Sequence, residues 1–218
     1  MKRSLRYVDL ILLRIIPTAF LLLILYADIQ NSLQAFKRFE HIDFLLFLPG
    51  SVLILCFVLL GAFAILKFFK KAQKVAVILK RLICVLAVMY IGLYSAQLFK
   101  TIKQCISINY YPKFFGSFVD AQKLLYIIVI IIVAICLLLK EKFFKTKWAL
   151  AVICSILYFV ASFLTPLYTL INYNDAINFR FLLNSFLYCY SYCAVILSGL
   201  SPSKTERKVA EKNTNEEN

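Results

Sequence analysis

The segment Lys67-Phe-Phe-Lys-Lys-Ala-Gln-Lys74, with the pair Lys80-Arg81 shortly after it, carries six basic side chains and no acidic one. Apolar runs long enough to cross a bilayer precede and follow this basic segment. In a soluble protein such a cluster would suggest a nucleic-acid surface. Between two membrane spans it indicates a cytoplasmic loop that fixes the orientation of the protein. The other spans can therefore be counted outward from it.

The composition is typical of α-helical membrane proteins. Of the 218 residues, 62% are hydrophobic and only 17% are charged, and the mean hydropathy is +0.83. A soluble domain of this length needs more polar surface. The apolar residues occur in runs of about twenty, the length at which a helix crosses ~30 Å of hydrocarbon. We therefore expect a polytopic helical membrane protein.

The net charge of +14 is unevenly distributed along the chain. Most of the 25 Lys and Arg residues lie in the segments 2–6, 67–81, 140–147 and 204–212. Because basic residues are concentrated on the cytoplasmic side of membrane proteins, this distribution predicts six spans with both termini in the cytoplasm. The expected partners of these charges are anionic lipid headgroups, not nucleic acid.

We predict an all-α, polytopic membrane bundle over residues 1–200 and a disordered cytoplasmic tail over 201–218, which is polar and lacks apolar periodicity. The first span should be an uncleaved signal anchor, because no small-residue cleavage site follows its basic leader. Residues 28–42 and 100–122 are assigned to external loops. The apolar insert 75–79 indicates either an interfacial stretch or an early start of the third span. The spans are predicted at 7–27, 44–66, 82–99, 124–139, 148–171 and 179–200.

The expected location is the plasma membrane, and the inner membrane of a bacterium is favoured. No Asn-x-Ser/Thr acceptor for external glycosylation occurs in the sequence.

Polar residues recur at helical spacing inside three of the predicted spans. Hydroxyl and amide groups are costly against lipid, so these faces should turn inward, and the purely aliphatic fourth span should lie outermost. The main residues are Tyr90, Tyr94 and Gln97 in the third span, Ser155, Tyr158, Ser162 and Thr165 in the fifth, and Asn184 and Tyr188 in the sixth. Thr101, Thr169, Ser185, Ser191 and Tyr192 extend the same faces.

Two interpretations of these faces are open. In the favoured one, small and polar side chains let the helices approach and hydrogen-bond to one another, as in most membrane bundles. In the other, spans three, five and six enclose a tyrosine-lined cavity for a small solute or a lipid headgroup. Thr165-Pro166 slightly favours the cavity, because a proline leaves a main-chain carbonyl without its helical donor.

Arg14 is a charge inside the first span, which makes it a functional candidate. It lies ~10 Å from the cytoplasmic end at ~1.5 Å per residue, within reach of the headgroups for a long side chain. No acid occurs in the middle of another span to pair with it. We therefore expect Arg14 to extend toward the headgroups.

The residues that could ligate a metal or react with a thiol are few. Glu40, His41 and Asp43 form the only cluster of metal-ligand types, and a stable site would need further ligands from elsewhere. Cys189 and Cys193 share a helix face and are expected to be packing thiols. The sequence therefore predicts no metal and no cofactor.

No catalytic constellation is recognisable. The spans contain no carboxylate pair and no histidine, and the chain has no Gly-rich phosphate loop. We predict a non-catalytic bundle that binds a membrane partner or lipid. The alternative is a small-solute permease, or the membrane subunit of a transporter, that uses the polar face of spans three, five and six. A membrane enzyme acting through Arg14, His41 or a cysteine is the third and weakest hypothesis.

Overall fold

The computed structural model describes residues 7–38, 48–69, 73–108, 114–139, 143–172 and 179–201. Every regular element in these ranges is a helix, which confirms the all-α prediction for this part of the chain. A π-helical turn, Ile11–Ile15, leads directly into α1. The α-helices are α1 (Ile16–Arg38), α2 (Leu48–Leu66), α3 (Gln73–Ile108), α4 (Phe114–Leu138), α5 (Phe144–Asn172) and α6 (Phe179–Leu200).

Five helical segments are long and apolar enough to cross a membrane by their length and composition. These segments are Tyr7–Gln34, Leu48–Leu66, Lys74–Ala96, Phe144–Phe163 and Leu183–Leu200. A shorter apolar stretch, Gln122–Leu138, lies in α4. The structure thus agrees with a membrane-associated helical protein.

Several helices are longer than the predicted spans. Helix α1 continues to Arg38, into the predicted external loop 28–42, and α3 extends on both sides of the predicted span 82–99. The insert 75–79 belongs to α3, as the second of the two interpretations expected. Hydropathy reports only the part of a helix that suits hydrocarbon, whereas main-chain hydrogen bonds continue the helix into polar sequence. The predicted tail beyond Ser201 lies outside the described residues.

Consecutive helices pack side by side, and α6 returns to α1 and closes the bundle. Helix α2 also contacts α6. Of the residues in the apolar 18-residue stretch of α2, 56% are buried, against 17% for the corresponding stretch of α3. Phe57 of α2 meets Tyr158 of α5 and Tyr192 of α6 edge to face, at ring-centroid distances of 5.5 and 5.0 Å. Helix α2 is therefore central, and α3 is peripheral.

The prediction that the fourth span lies outermost is wrong. Helix α4 contacts α3, α5 and α6, and it buries Val129 and Ile130 completely. Aliphatic side chains pack against a neighbouring helix as readily as against lipid tails. The absence of polar residues from α4 therefore does not determine its position.

Glycines permit two of the closest helix approaches. A Cβ atom at Gly61 would collide with Thr18 of α1, and a Cβ atom at Gly199 would lie 2.9 Å from Leu60 Cγ. These positions join α2 to α1 and to α6. Small residues let two helices approach closely enough for extensive van der Waals contact. Such contact drives helix association in lipid, where the hydrophobic effect between helices is weak.

Candidate functional site

All six α-helices contribute to one cavity of about 390 Å³. Small-molecule sites in proteins occupy ~300–1,000 Å³, so this volume suits a small ligand. Tyr126, Tyr158 and Tyr192 lie near the middle of their helices, and Asp28 lies near the middle of α1. Gly50 lies near the start of α2, at the end remote from the basic segment. The described residues that line the cavity are Ile24, Ala27, Asp28, Asn31, Gly50, Leu53, Ile54, Tyr94, Tyr126, Tyr158, Tyr188 and Tyr192.

Stacked aromatic rings form one wall of the cavity. The rings of Tyr158 and Tyr192 stack at 4.5 Å with 23° between their planes, and Tyr126 lies 5.4 Å from Tyr158. Phe57 braces the stacked pair from α2. Such ring pairs stabilise by ~0.5–1.5 kcal/mol beyond the burial of their area. The wall thus consists of rings from α4, α5 and α6, with Phe57 of α2 packed behind them.

Gln122 fixes the outer member of this wall. Its side-chain nitrogen lies 3.1 Å from the Tyr126 hydroxyl and donates to the main-chain carbonyl of Ala161 at 3.0 Å. The amide therefore joins α4 to α5 and holds the Tyr126 ring in place. Gln122 was not among the predicted site residues.

The acid of the cavity is Asp28, which lies in the predicted external loop 28–42. Asp28 lies on α1, and its carboxylate accepts a hydrogen bond of 2.5 Å from the Ser51 hydroxyl of α2. Asn31, one turn later, lines the same cavity. The spacing of Ile24, Asp28 and Asn31 by four and then three residues is the signal that could have revealed this face.

The predicted residues of the third span divide between core and cavity. Tyr90 is fully buried, and Tyr94, one turn later in α3, lines the cavity with its ring 4.7 Å from that of Tyr90. Gln97 also lies in α3, but its side chain is outside the described residues.

In the fifth span, Tyr158 lines the cavity and Ser155 does not. The Ser155 hydroxyl donates to the carbonyl of Ala151 in the same helix at 2.9 Å. The buried Ser162 hydroxyl lies beside those of Tyr126 and Tyr158 without reaching hydrogen-bonding geometry. Thr165 lies in α5, and its side chain is outside the described residues.

In the sixth span, the structure brings Tyr188 to the cavity and leaves Asn184 exposed. Tyr188 is 43% exposed, and its ring meets Phe20 of α1 edge to face at 5.7 Å. Tyr192, one turn deeper, completes the aromatic wall. Of the predicted face residues, Tyr94, Tyr158, Tyr188 and Tyr192 therefore come together.

Arg14 contacts the carboxyl end of α2. Its Nη1 donates to the carbonyl of Ala64 at 2.6 Å, and its Nη2 lies 3.3 Å from the carboxylate of Asp9. Its guanidinium group also lies 5.6 Å from the ring centroid of Phe68. A cation at the carboxyl end of a helix satisfies free carbonyls and the helix dipole. Arg14 therefore caps α2, away from the cavity.

A second hollow of about 320 Å³ lies between α5 and α6. Its walls are apolar, and Ile156 and Phe159 are exposed there. Such a surface is what contact with lipid tails requires. The described residues around it are Val152, Ser155, Ile156, Phe159, Cys193 and Leu197.

No three His, Cys, Asp or Glu side chains come together within the described ranges to hold a metal ion. Glu40, His41 and Asp43 lie outside those ranges. Cys189 is buried and Cys193 is half-buried in α6, and the Cys193 thiol lies 3.5 Å from the carbonyl of Ser155.

Comparison of the chain with models of protein families, with curated proteins and with solved structures finds no match.

Proposed function

We propose that the chain is a six-span membrane protein that binds a small solute or a lipid headgroup in the tyrosine-lined cavity, without catalysing a reaction on it. One observation supports this function above the others: all six helices converge on one cavity that carries a carboxylate and five tyrosines. In a bundle held together by packing alone, these side chains would be expected to fill the space. The cavity combines apolar walls with a few polar groups, as small-molecule sites do.

The proposed orientation places both termini in the cytoplasm and the cavity in the outer half of the membrane. Asp28, Gly50 and Tyr94 lie in the parts of α1, α2 and α3 that are remote from the basic segment. Helix α4 has 25 residues, enough for ~38 Å at ~1.5 Å per residue, and serves as the sixth span. The plasma membrane, in particular a bacterial inner membrane, is the proposed location.

A binding site of this kind would serve a permease or the membrane subunit of a transporter equally well, since each must first bind its solute. The described residues show no surface that is specific to the binding of a membrane protein partner. The exposed apolar side chains of α1 and α3 are also what contact with lipid requires.

Accessibility of a cysteine placed at Gly50 tests whether the cavity is open to water. A Cβ atom at Gly50 would meet nothing within 4 Å, and the residue lines the cavity. Gly92 in α3 has equally open surroundings and does not line the cavity. In a Cys105→Ser background, a membrane-impermeant maleimide applied to intact cells should label Gly50→Cys and leave Gly92→Cys unlabelled.

The reason for this expectation is that a thiol reacts as the thiolate, which forms in a wet cavity and not in lipid. Gly50→Cys that remains unlabelled, while a cysteine placed at the exposed Gln34 reacts, would contradict an open cavity. Equal labelling of Gly50→Cys and Gly92→Cys would show that α3 is not in the membrane as proposed.

A further inference from the structure

We infer that the ligand of the cavity is an organic cation, with an amine or quaternary ammonium group that lies between Asp28 and the tyrosines. This inference rests on the proposed function and names the chemical class of its ligand. It takes in both a free ammonium solute and the ammonium headgroup of a lipid, because the group recognised is the same.

The first argument is the charge of the lining. Among the described residues that line the cavity there is one acid, Asp28, and no base. Arg14, the basic residue of the π-helical turn before α1, pairs with Asp9, and no ion pair joins Asp28 to a basic side chain within the described ranges. The Ser51 hydroxyl donates to the carboxylate and leaves its charge uncompensated. A carboxylate inside a membrane is costly unless a positive group pairs with it.

The second argument is the aromatic content. Tyr94, Tyr126, Tyr158, Tyr188 and Tyr192 reach the cavity from four helices. Tyrosine rings attract ammonium groups through the negative charge of the π-system, and several such rings are the usual recognition device for quaternary ammonium ligands. Because the stacking of Tyr158 on Tyr192 fixes that wall before any ligand arrives, little ordering entropy is lost on binding.

The third argument separates an organic cation from a metal ion. A multivalent metal requires several charged or imidazole ligands, and within the described ranges no cluster of three His, Cys, Asp or Glu occurs. Apart from Asn31 and Gly50, the remaining lining residues are Ile24, Ala27, Leu53 and Ile54, which suit alkyl groups carried by an ammonium nitrogen. A single carboxylate with apolar and aromatic surroundings therefore matches an alkylated amine.

The test measures choline binding to the full chain in lipid nanodiscs by isothermal titration calorimetry. The control compound is 3,3-dimethylbutan-1-ol, which has the shape of choline without its charge. Choline should bind the wild type, and the alcohol should bind at least ~tenfold more weakly, since a tenfold change corresponds to only ~1.4 kcal/mol. This comparison requires no variant and so does not depend on any substitution folding.

Three variants locate the site. Asp28→Asn keeps an acceptor for Ser51 and removes the charge, and it should lose choline binding while alcohol binding changes little. Gly50→Leu should abolish binding of both compounds by filling the cavity, because nothing lies within 4 Å of a Cβ atom at Gly50. Gly92→Leu, at the matched open position outside the cavity, should bind choline like the wild type.

The outcomes separate this inference from the proposed function. If choline and the alcohol bind equally well and Gly50→Leu abolishes both, the cavity is a binding site and the cationic ligand is wrong. Displacement of choline by an equal concentration of sodium chloride would show that an inorganic cation binds as well as choline. This result would overturn the assignment of the ligand as an organic cation. If neither compound binds and Gly50→Cys resists the maleimide, both proposals fail; if neither binds but Gly50→Cys is labelled, only the cationic ligand fails.

The lipid composition of the nanodiscs identifies the source of the ammonium group. Phosphatidylglycerol is mixed in equal parts with either phosphatidylcholine or an uncharged glycolipid, so that the surface charge is the same. If a headgroup occupies the cavity, choline binding should be weaker in the phosphatidylcholine discs. Equal binding in the two would identify a free solute as the ligand.

Discussion

Pro17 leaves a main-chain carbonyl without a helical donor, and a tyrosine from another helix supplies one. In the π-helical turn Ile11–Ile15, the N–H of Ile16 donates to the carbonyl of Ile11, five residues earlier. The next donor in that pattern would be residue 17, a proline without an N–H. The carbonyl of Leu12 instead accepts a hydrogen bond of 2.6 Å from the Tyr190 hydroxyl of α6. The missing N–H of Pro17 thus leaves free the carbonyl through which the π-helical turn contacts α6.

We expect Tyr190→Phe to destabilise the solubilised protein by ~0.6 kcal/mol, the average measured for hydrogen bonds between membrane helices, and by no more than the maximum of ~1.7 kcal/mol. The same substitution is also made in the Pro17→Ala variant, where the restored N–H of residue 17 can bond to the Leu12 carbonyl. In that background Tyr190→Phe should cost clearly less, and a double-mutant cycle on the free energy of unfolding measures the difference. An equal loss of unfolding free energy in the two backgrounds would show that the Tyr190 hydrogen bond does not depend on the N–H that Pro17 lacks.

At the scale of the elements, α1 and α2 approach through Gly61 and Thr18. The Thr18 hydroxyl donates to the carbonyl of Arg14 at 2.5 Å, which holds the side chain in one rotamer. A Cβ atom at Gly61 would lie 3.0 Å from both Thr18 Cβ and Thr18 Cγ2. Because Thr18 cannot turn away without losing its hydrogen bond, the contact has no room for a methyl group.

Gly61→Ala should therefore destabilise the bundle by ~1–3 kcal/mol, as overpacking does in a tight core. Gly92→Ala is the control, because nothing lies within 4 Å of a Cβ atom there and alanine favours a helix over glycine by ~1 kcal/mol. Unfolding of both variants in a denaturing detergent gives the comparison. If Gly61→Ala is as stable as Gly92→Ala, the two helices do not pack as described; Thr18→Ala should recover part of the loss.

At the scale of the whole molecule, the basic segments determine the proposed orientation. The described cysteines lie in helices, and Cys56, Cys136, Cys154 and Cys189 are buried. Cys105 lies near the end of α3, at the opposite end from the basic segment that precedes this helix. The proposed orientation places it at the outer surface.

A membrane-impermeant maleimide applied to intact cells should consequently label the wild-type protein and fail to label Cys105→Ser. The chemical reason is that a thiol at the aqueous surface reacts, whereas thiols inside the bundle or in lipid do not. Labelling of Cys105 only after the cells are permeabilised would indicate the opposite orientation in the membrane. Labelling that persists in Cys105→Ser would place another cysteine at the outer surface.

The sequence by itself determined the all-helical, membrane-associated class and the approximate positions of the helices in the described part of the chain. Apolar runs of about twenty residues and the basic segment 67–81 are local features, and a helix satisfies its main-chain hydrogen bonds locally. Of the predicted tyrosines, Tyr94, Tyr158, Tyr188 and Tyr192 line the cavity, whereas Tyr90 is buried in the core. Their spacing along each helix placed them on the polar faces that were expected to turn inward.

The tertiary structure decided which other residues join them. Serine can satisfy its hydroxyl on the carbonyl four residues earlier, as Ser155 does on Ala151 and Ser191 does on Leu187, so a polar face does not reveal what it contacts. The partner of Arg14, Ala64, is 50 residues away, and Asp28 reaches the cavity only because α1 continues past the predicted end of its span. Helix rotation and helix extent are set by packing between distant segments, and a reading of one segment at a time does not contain that information.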